Sequence, residues 1–471
     1  MPATFPTLRS VAVMVCLGLA LGGPTFWDAD AAWSQDSDDD DDDDAGDDGG
    51  EGGGPAAGTA SDGGGGVGSS DTDDGGRIRR DGKTVKPPAE GQKLRRPAVV
   101  VPGDLPEFAP GEIVTLELSD TDLATLLALG FGILEERPVP EIGIIARRLS
   151  IPQGSTLEAA RDQVRALASG EDADFNHYYR TEAGPETSAE PSVCEGQHCS
   201  SLEQIGWNFP AKAAACATDV VIGVIDTGIN PDHAAFDSAR LDVHRLAPDS
   251  LDPSRAIHGT AVLSLLIGSP DSRSPGLLPG ARVVAVDAFH SAGGDERADV
   301  FTLAAGMDFL ADRGVRVINM SLAGPPNTVL KAAIDALFAR GVTIVAAVGN
   351  DGPKAGPGYP AAYPEVIAVT AVDAGDQVYR RAVRGPHVDL AAPGVDVWTA
   401  ASVSGARPKT GTSFAAPFVT AAVAAELTVR PDLDPAALTA SLVGAARDLG
   451  EPGRDDVYGH GLVQARQPCG P

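Results

Sequence analysis

The chain beyond about residue 200 alternates short apolar runs with segments whose apolar residues recur at helical spacing. Alternating strands and helices predict an α/β fold, because helices join the parallel strands of one sheet. We therefore expect a parallel sheet flanked by helices. The predicted strands are Val220–Ile225, Val283–Phe289, Val315–Leu322, Val342–Val348 and Val366–Val372, and the predicted helices are Thr260–Ile267, Ala298–Asp312, Thr328–Arg340, Ser413–Leu427 and Pro435–Ala446.

Three short motifs lie where these strands or loops give way to helices. Ile-Asp-Thr-Gly contains Asp226, His-Gly-Thr begins at His258, and Gly-Thr-Ser-Phe-Ala-Ala-Pro contains Ser413. A hydroxyl needs a base to take its proton at neutral pH, and that base needs an orienting partner. The three motifs supply a carboxylate, an imidazole and a hydroxyl, so they predict nucleophilic catalysis by Ser413. Pro417 is expected to be tolerated early in its helix because first-turn amides lack intrahelical partners.

A fourth residue, Asn350, follows the predicted strand Val342–Val348 within the motif Gly-Asn-Asp-Gly. Ligands bind beyond the carboxyl ends of the strands in such sheets, so Asp226 and Asn350 are expected on one rim. The Asn350 amide can donate to the oxyanion that forms when Ser413 attacks a carbonyl. The backbone amide of Ser413, at the positive end of a helix, is expected to point into the same space.

The motifs, their order and their spacing resemble those of the subtilisin-like serine proteases, the subtilase family. Asp226 precedes His258 by 32 positions and Asn350 precedes Ser413 by 63, and the resemblance runs from about residue 204 to 465. It implies a subtilisin-like fold and a serine endopeptidase that hydrolyses protein or peptide substrates through an acyl-enzyme. Asp-Thr-Gly also occurs in aspartic proteases, but those enzymes need two carboxylates that share a proton.

The resemblance also implies a substrate-binding groove. One stretch is expected to pair with the main chain of the substrate as an added strand. A second stretch and a glycine floor are expected to form the pocket for the residue before the scissile bond, with depth for a large apolar or aromatic side chain. These residues are Ser321, Leu322, Ala323 and Gly324 for the strand, and Ala347, Val348, Gly349 and Gly358 for the pocket.

The sequence departs from the family pattern at two places, the calcium site and the helix that begins with His258. Ala235 stands where the strong calcium site of many subtilisins has an Asp, and the loop Ser269–Pro279 lacks its Asn-rich ligands. We therefore expect no metal and no cofactor, with calcium the one ion that the resemblance leaves open. Ala261 replaces a second His of well-known members, which is not the catalytic base.

Residues 98–182 predict a small α+β module before the peptidase region. Its element order, β-α-β-β-α-β, is the ferredoxin-like pattern. By position and pattern the module resembles the subtilisin propeptide, which implies a folding helper and inhibitor that is removed by self-cleavage between Tyr179 and Cys194; an accessory domain of another kind is the alternative. The predicted elements are Glu112–Ser119, a helix through Ala128 capped by Asp120, Phe131–Val139, Ile142–Ile151, Thr156–Ala168 capped by Ser155 or Thr156, and Asp174–Arg180.

The N-terminal part of the chain predicts export. Residues 1–32 combine a basic start, the apolar run Val11–Gly23 and small residues at a cleavage site, which is typical of a signal peptide. Thirteen apolar positions are too few to span a hydrocarbon core of ~30 Å, so we expect no stable membrane insertion after cleavage and a secreted or periplasmic protein. An uncleaved N-terminal anchor is the alternative.

Residues 33–97 predict a disordered linker. Fifteen acidic and no basic residues lie between Trp33 and Gly76, which is half of the net charge of −30, and a basic stretch follows at 77–96. Such self-repelling, glycine-rich sequence cannot bury a core. Calcium binding or attachment to a basic surface is the alternative for the Asp run. A basic face for nucleic acid is absent from the sequence pattern, so we expect no nucleic-acid partner.

Four cysteines remain if the signal peptide is removed, and an even number in an exported chain favours disulfides over metal binding. They are Cys194, Cys199, Cys216 and Cys469. Three pairings are possible, and Cys194–Cys199 with Cys216–Cys469 is the one we prefer. The segment 183–199 is interpreted as a processing linker and 200–471 as the peptidase domain.

Three functional hypotheses follow from the sequence. The first is an exported serine endopeptidase made as a self-processed zymogen. The second is a binding or structural protein on a subtilase scaffold that has lost activity, and the third confines catalysis to self-cleavage, with the N-terminal module staying bound as an inhibitor. The intact set of Asp226, His258, Asn350 and Ser413 favours the first.

Overall fold

A computed structural model of the chain describes residues 105–181, 200–207 and 219–465. All of them belong to a unit that starts at Lys93. The predicted signal peptide, the acidic linker, the segment 183–199 and the four cysteines lie outside the described residues. The expectations for those parts of the chain stay predictions.

Residues 105–181 form a four-stranded antiparallel sheet with two helices on one face. The elements are β1 (Phe108–Leu116), α1 (Asp120–Ala128), β2 (Gly132–Val139), β3 (Ile144–Ser150), α2 (Leu157–Arg165) and β4 (Asp174–Thr181). The strand order is β2-β3-β1-β4. The element order is the predicted β-α-β-β-α-β, and the strand order is an observation that the structure adds.

The N-cap of α2 is the predicted residue, whereas the N-cap of α1 is not. Thr156 caps α2, as expected, through a hydrogen bond from the amide of Ala159. The prediction that Asp120 caps α1 was wrong: Ser119 has the extended backbone of a cap, and its hydroxyl accepts from the amide of Asp122. The cap precedes the first helical residue, and Asp120 already lies in the helix.

The region after residue 219 is built on a second sheet. Its strands and those of the hairpins around it are β5 (Val221–Asp226), β6 (Arg240–Arg245), β7 (Arg282–Asp287), β8 (His290–Ala292), β9 (Asp295–Asp299), β10 (Val317–Met320), β11 (Leu322–Ala323), β12 (Thr343–Ala347), β13 (Val366–Val372), β14 (Leu390–Pro393), β15 (Val397–Ala400) and β16 (Ala406–Lys409). Seven of them form a parallel sheet in the order β14-β13-β12-β10-β5-β7-β6. This confirms the predicted α/β fold with a parallel sheet.

Helices cover both faces of the parallel sheet. They are α3 (Ser200–Gln204), α4 (His258–Ile267), α5 (Val300–Asp312), α6 (Thr328–Ala339), α7 (Thr412–Val429) and α8 (Pro435–Ala445). Helices α4, α7 and α8 pack in the core on one face, and α5 and α6 pack in the core on the other. Helix α7 is long and apolar enough to cross a membrane, but it is almost wholly buried, as expected for a core helix.

The sheet of residues 105–181 packs against the peptidase region with its second face. Alternate residues of β1 point to opposite faces. Ile113 packs among the residues of α1 and α2, whereas Val114 joins the core that contains Phe301 of α5. Strand β4 pairs antiparallel with both β9 and β11, so strands of the peptidase region extend the sheet of residues 105–181.

The strands that the sequence did not predict are short or polar. Strand β9, for example, reads Asp-Glu-Arg-Ala-Asp and has no apolar run. The predicted strand Val315–Leu322 is also interrupted, since β10 ends at Met320 and β11 begins at Leu322. Strands β9 and β11 also pair with β4, a partner distant in sequence, and such pairing cannot be recognised from the local pattern.

Candidate active site

Asp226 and His258 form a buried pair at the rim of the parallel sheet. Asp226 is the last residue of β5 and His258 the first of α4. His258 Nδ1 lies 2.7 Å from Asp226 Oδ1, and Asp226 is 1% exposed. The carboxylate therefore fixes the proton on Nδ1, which leaves Nε2 as the proton acceptor. Nε2 is buried and has no hydrogen-bond partner among the described residues.

A layer of hydrogen bonds that the sequence did not reveal fixes the turn after Asp226. Ser254 Oγ accepts from the amide of Gly228 at 2.8 Å and donates to Asp287 Oδ1 at 3.0 Å. Asp287 lies beside Asp226 in the register of β5 and β7. Burial raises the pKa of the Asp287 carboxyl, although the bonds from Ser254 and Arg245 oppose that shift.

The start of α4 approaches the same turn closely. Thr227 Oγ1 accepts from the amide of Gly259 at 3.0 Å. A Cβ at Gly259 would lie 2.5 Å from the carbonyl oxygen of Thr227, which explains the glycine after the histidine. In the sequence, this contact is indicated only by the pairs Thr227-Gly228 and His258-Gly259.

Ser413 is the second residue of α7 and is fully buried. Gly411 enters the helix with a φ of 151°, a conformation that glycine adopts readily. Ser413 Oγ donates to the carbonyl oxygen of Ser321 at 3.1 Å. The neighbouring ring of Phe414 lies 5.4 Å from the ring of His258, so the start of α7 borders the imidazole.

Pro417 plays a different part from the one expected. It is the sixth residue of α7, beyond the first turn, so its missing N–H leaves the carbonyl of Ser413 without the helical partner four residues on. Ser321 Oγ donates to that carbonyl at 2.9 Å and replaces the lost bond. Ser321 Oγ in turn accepts from Asn319 Nδ2 at 2.9 Å, and Thr420 Oγ1 donates to Asn319 Oδ1 at 3.0 Å. This buried chain ties α7 to β10.

Asn350 lies beyond the end of β12 and against the first turn of α7. Its Oδ1 accepts from the amide and the hydroxyl of Thr412 at 3.1 and 3.2 Å. The first turn of α7 therefore holds Oδ1 of Asn350, and this sets the orientation of Nδ2, which carries the two N–H donors. Asp226 ends β5 and Asn350 follows β12, and both strands belong to the same parallel sheet.

The residues expected to bind substrate lie on neighbouring segments. Leu322 pairs with Thr181 and Ala323 with Arg180, so strand β4 occupies the edge of β11. A Cβ at Gly358 would lie 3.1 Å from Ala323 and 3.3 Å from the carbonyl of Val348, which places these residues together. Ala347, Val348 and Gly349 are buried next to the first turn of α7.

Gly324 borders the most buried side chain of β4. A Cβ there would lie 2.5 Å from the ring of Tyr179, whose side chain is fully buried. The Tyr179 hydroxyl donates to the carbonyl of Pro325 at 2.9 Å. The glycine thus leaves room for a large aromatic ring beside β11.

Within residues 105–181, 200–207 and 219–465, no three His, Cys, Asp or Glu side chains gather in a way that could hold a metal ion. Ala235 lies buried in a short 3₁₀ turn at 234–236. The arrangement that the described residues do offer is a carboxylate–imidazole pair beside a buried hydroxyl at a helix start.

Comparison with known proteins finds subtilisin DY, fervidolysin and the protease Epr among the relatives of this chain. The chain is 31% identical over 250 residues to subtilisin DY of Bacillus licheniformis, 27% identical over 411 residues to fervidolysin of Fervidobacterium pennivorans, and 31% identical over 270 residues to the minor extracellular protease Epr of Bacillus subtilis. These alignments cover 52%, 76% and 56% of this chain. They span 89% of subtilisin DY, but 58% of fervidolysin and 40% of Epr.

The fold and the family profile agree with these relatives. The crystal structure of fervidolysin, a keratinolytic enzyme related to subtilisin, superposes with a TM-score of 0.64 at 24% identity, over 76% of this chain and 60% of that one. The profile of the subtilase family matches residues 217–461, which is about half of the chain. The chain therefore belongs to the subtilase family of serine-type endopeptidases.

Proposed function

We propose that the protein is an exported serine endopeptidase that is made as a self-processed zymogen. The observation that carries the proposal is the buried 2.7 Å contact between His258 Nδ1 and Asp226, next to Ser413 at the start of α7. Ser413 is the nucleophile, His258 the general base and acid, and Asp226 the residue that orients His258.

The proposed mechanism of peptide-bond hydrolysis assigns a role to each of these groups. Ser413 Oγ leaves the carbonyl of Ser321 and turns to His258 Nε2, which takes its proton as Oγ bonds to the peptide carbonyl carbon. The Asn350 N–H and the Ser413 amide stabilise the oxyanion. His258 then returns the proton to the leaving amine as the C–N bond breaks, and water hydrolyses the acyl-enzyme by the same steps.

Strand β4 supports the proposal that the module is a self-inhibitory propeptide. It adds between β9 and β11, where an extended substrate would form main-chain hydrogen bonds. Thr181 pairs with Leu322, and the preceding residue Ser321 accepts the hydrogen bond from the Ser413 hydroxyl. We place self-cleavage within the three peptide bonds after Thr181.

Export and the absence of a cofactor belong to the same proposal. The signal-like residues 1–32 support a secreted or periplasmic location, and the relative Epr is named as extracellular. The chemistry above uses only side chains and water, so we propose that no cofactor takes part. Protein or peptide substrates bind in the groove beside Ala323 and Gly358.

A comparison of the wild-type chain with Ser413→Ala tests this function. Intact mass and peptide hydrolysis are followed together, and Ser404→Ala, at an exposed position, is the matched control. We expect wild type and Ser404→Ala to shorten to a new N-terminus at residue 182, 183 or 184, to react with a fluorophosphonate at Ser413 and to hydrolyse peptides. Ser413→Ala should do none of these.

The outcomes also separate the alternative functions. Self-cleavage without turnover of any added peptide supports an enzyme that acts only on itself. A wild-type chain that neither shortens, nor labels, nor hydrolyses a peptide contradicts the proposal and favours an inactive scaffold. Peptide hydrolysis that persists in Ser413→Ala places the chemistry elsewhere.

A further inference from the structure

The side chain of Arg180 on β4 reaches across to the peptidase region. Arg180 Nε donates to Asp295 Oδ1 and a terminal guanidinium nitrogen donates to Asp295 Oδ2, both at 2.9 Å. Two parallel N–H···O bonds of this kind are the strongest arrangement that a carboxylate offers to a basic side chain. The partners are 115 residues apart in sequence, and Asp295 is 6% exposed.

Arg180 lies in the part of β4 that pairs with β11. It pairs with Ala323 of β11, while the preceding residue, Tyr179, pairs with Ala298 of β9. If β4 lies as a substrate lies, which rests on the function proposed above, the Arg180 side chain marks the place of one substrate side chain. That place is defined by the backbone position opposite Ala323.

Asp295 is held in place by the peptidase region itself. It starts β9 after a turn in which Gly293 and Gly294 both have positive φ, as a two-residue hairpin requires. Arg297 donates to Asp295 Oδ2 at 3.0 Å. When β4 leaves, both oxygens lose the bonds from Arg180, and Oδ2 keeps the bond from Arg297.

We propose that Asp295 is a specificity-determining residue that selects a basic side chain, arginine above lysine, at the substrate position opposite Ala323. A partly desolvated carboxylate that has lost a charged donor favours a substrate that replaces it. The planar fork of arginine satisfies both oxygens, whereas lysine offers a point charge. An acidic side chain at this position is repelled.

Peptides built on the chain's own sequence test the proposal with the self-processed wild-type protein. The parent is an internally quenched peptide with residues 178–184, Tyr-Tyr-Arg-Thr-Glu-Ala-Gly, and the others carry Arg180→Lys, Arg180→Ala or Arg180→Glu. Because Arg180 is about a quarter exposed, we expect kcat/KM to fall by about tenfold from Arg to Ala, with Lys between them and Glu lowest.

Variants of the protein assign the preference to Asp295. Asp295→Asn should lower kcat/KM for the Arg peptide by about tenfold and leave the Ala peptide within about twofold of wild type. Asp312→Asn, which removes the same charge at an exposed site, should keep the full preference. Asp295→Glu keeps the charge and should keep the order of the four peptides.

Two results would overturn the proposal while the proposed function stands. One is equal hydrolysis of the Arg and Ala peptides by wild type, and the other is an equal loss on both peptides in Asp295→Asn. If Asp295→Asn does not fold, the wild-type peptide series decides alone. If wild type hydrolyses no peptide and does not label with a fluorophosphonate, the proposed function fails and the specificity proposal fails with it.

Discussion

Asn350 receives two hydrogen bonds from Thr412, and both reach the same oxygen of its amide. At the scale of single residues, contacts of this kind fix the orientation of the side chains at the candidate site. The same holds for His258, whose Nδ1 contacts Asp226 while Nε2 has no hydrogen-bond partner in the described residues. The first turn of α7 and the end of β5 thus hold the atoms to which the proposed function assigns the chemistry.

Replacing Asn350 tests the oxyanion role. Asn350→Ala should lower kcat by ~10²–10³ with a smaller change in KM, because the amide donates to charge that develops only in the transition state. Steady-state kinetics of the processed protein check this, with thermal unfolding to confirm that the variant folds. A kcat within about threefold of wild type would contradict the role.

The bond from Ser321 to the carbonyl of Ser413 gives a second prediction at this scale. Ser321→Ala leaves that buried carbonyl without a donor, which should cost about 1–3 kcal/mol of unfolding free energy and lower kcat. Pro417→Ala supplies a helical N–H to the same carbonyl. The double variant should therefore recover most of the loss.

Urea unfolding of the two single variants and the double variant, each with Ser413→Ala to prevent self-cleavage, measures the coupling. Additive losses would mean that the carbonyl of Ser413 is not the shared partner of Ser321 and position 417.

At the scale of elements, strand β4 connects the N-terminal module to the peptidase region. It completes the sheet of the N-terminal module through β1 and pairs with β9 and β11 of the peptidase region. The longer strands and helices followed from apolar runs and helical periodicity. The short strands β9 and β11 did not, because β9 lacks an apolar run and both strands pair with β4, more than 110 residues away.

The close approach of Gly324 to Tyr179 predicts how to loosen β4. Gly324→Ala places a Cβ at 2.5 Å from the Tyr179 ring and 3.0 Å from the carbonyl of Tyr178, so the pairing must shift. We expect faster hydrogen exchange of residues 174–181 in Ser413→Ala/Gly324→Ala than in Ser413→Ala alone.

Gly444→Ala is the matched control for this variant. A Cβ at Gly444, on α8, meets nothing within 4 Å. It should leave exchange of residues 174–181 unchanged. Unchanged exchange in the Gly324 variant as well would show that the ring of Tyr179 adapts without loss of pairing.

At the scale of the whole molecule, one face of the module sheet is completed by the peptidase region. His177 of β4 is buried in this contact. Asn327 Oδ1 caps α6 by accepting from the amides of Val329 and Leu330, so its Nδ2 must donate to His177 Nδ1 at 2.9 Å. His177 is therefore neutral in the folded chain, and protonation of Nδ1 removes the bond.

This contact predicts loss of stability in acid. Burial lowers the pKa of His177 below its ordinary 6.5, with Arg161 acting in the same sense and Asp174 and Glu107 opposing. The unfolded chain takes up the proton first, so the stabilisation is complete above pH 6.5 and is lost as pH falls through 6.5 toward the lowered pKa.

Thermal unfolding of Ser413→Ala at about pH 7.5 and about pH 5.5 measures the effect. The fall in Tm should be smaller with His177→Gln, since glutamine does not titrate, and unaltered with His460→Gln on the C-terminal segment. Equal falls in all three would exclude His177 as a source of the pH dependence.

The sequence by itself determined the family resemblance with its candidate reacting groups, the α/β class and the order of elements in the module. Each of these depends on residue type, local periodicity or spacing, and all three can be read from the sequence. Tertiary structure decided that β4 lies between β9 and β11, that Ser321 replaces the bond removed by Pro417, and that Arg180 meets Asp295. These contacts join residues 92 to about 140 positions apart, and their energy depends on burial and geometry that exist only after folding.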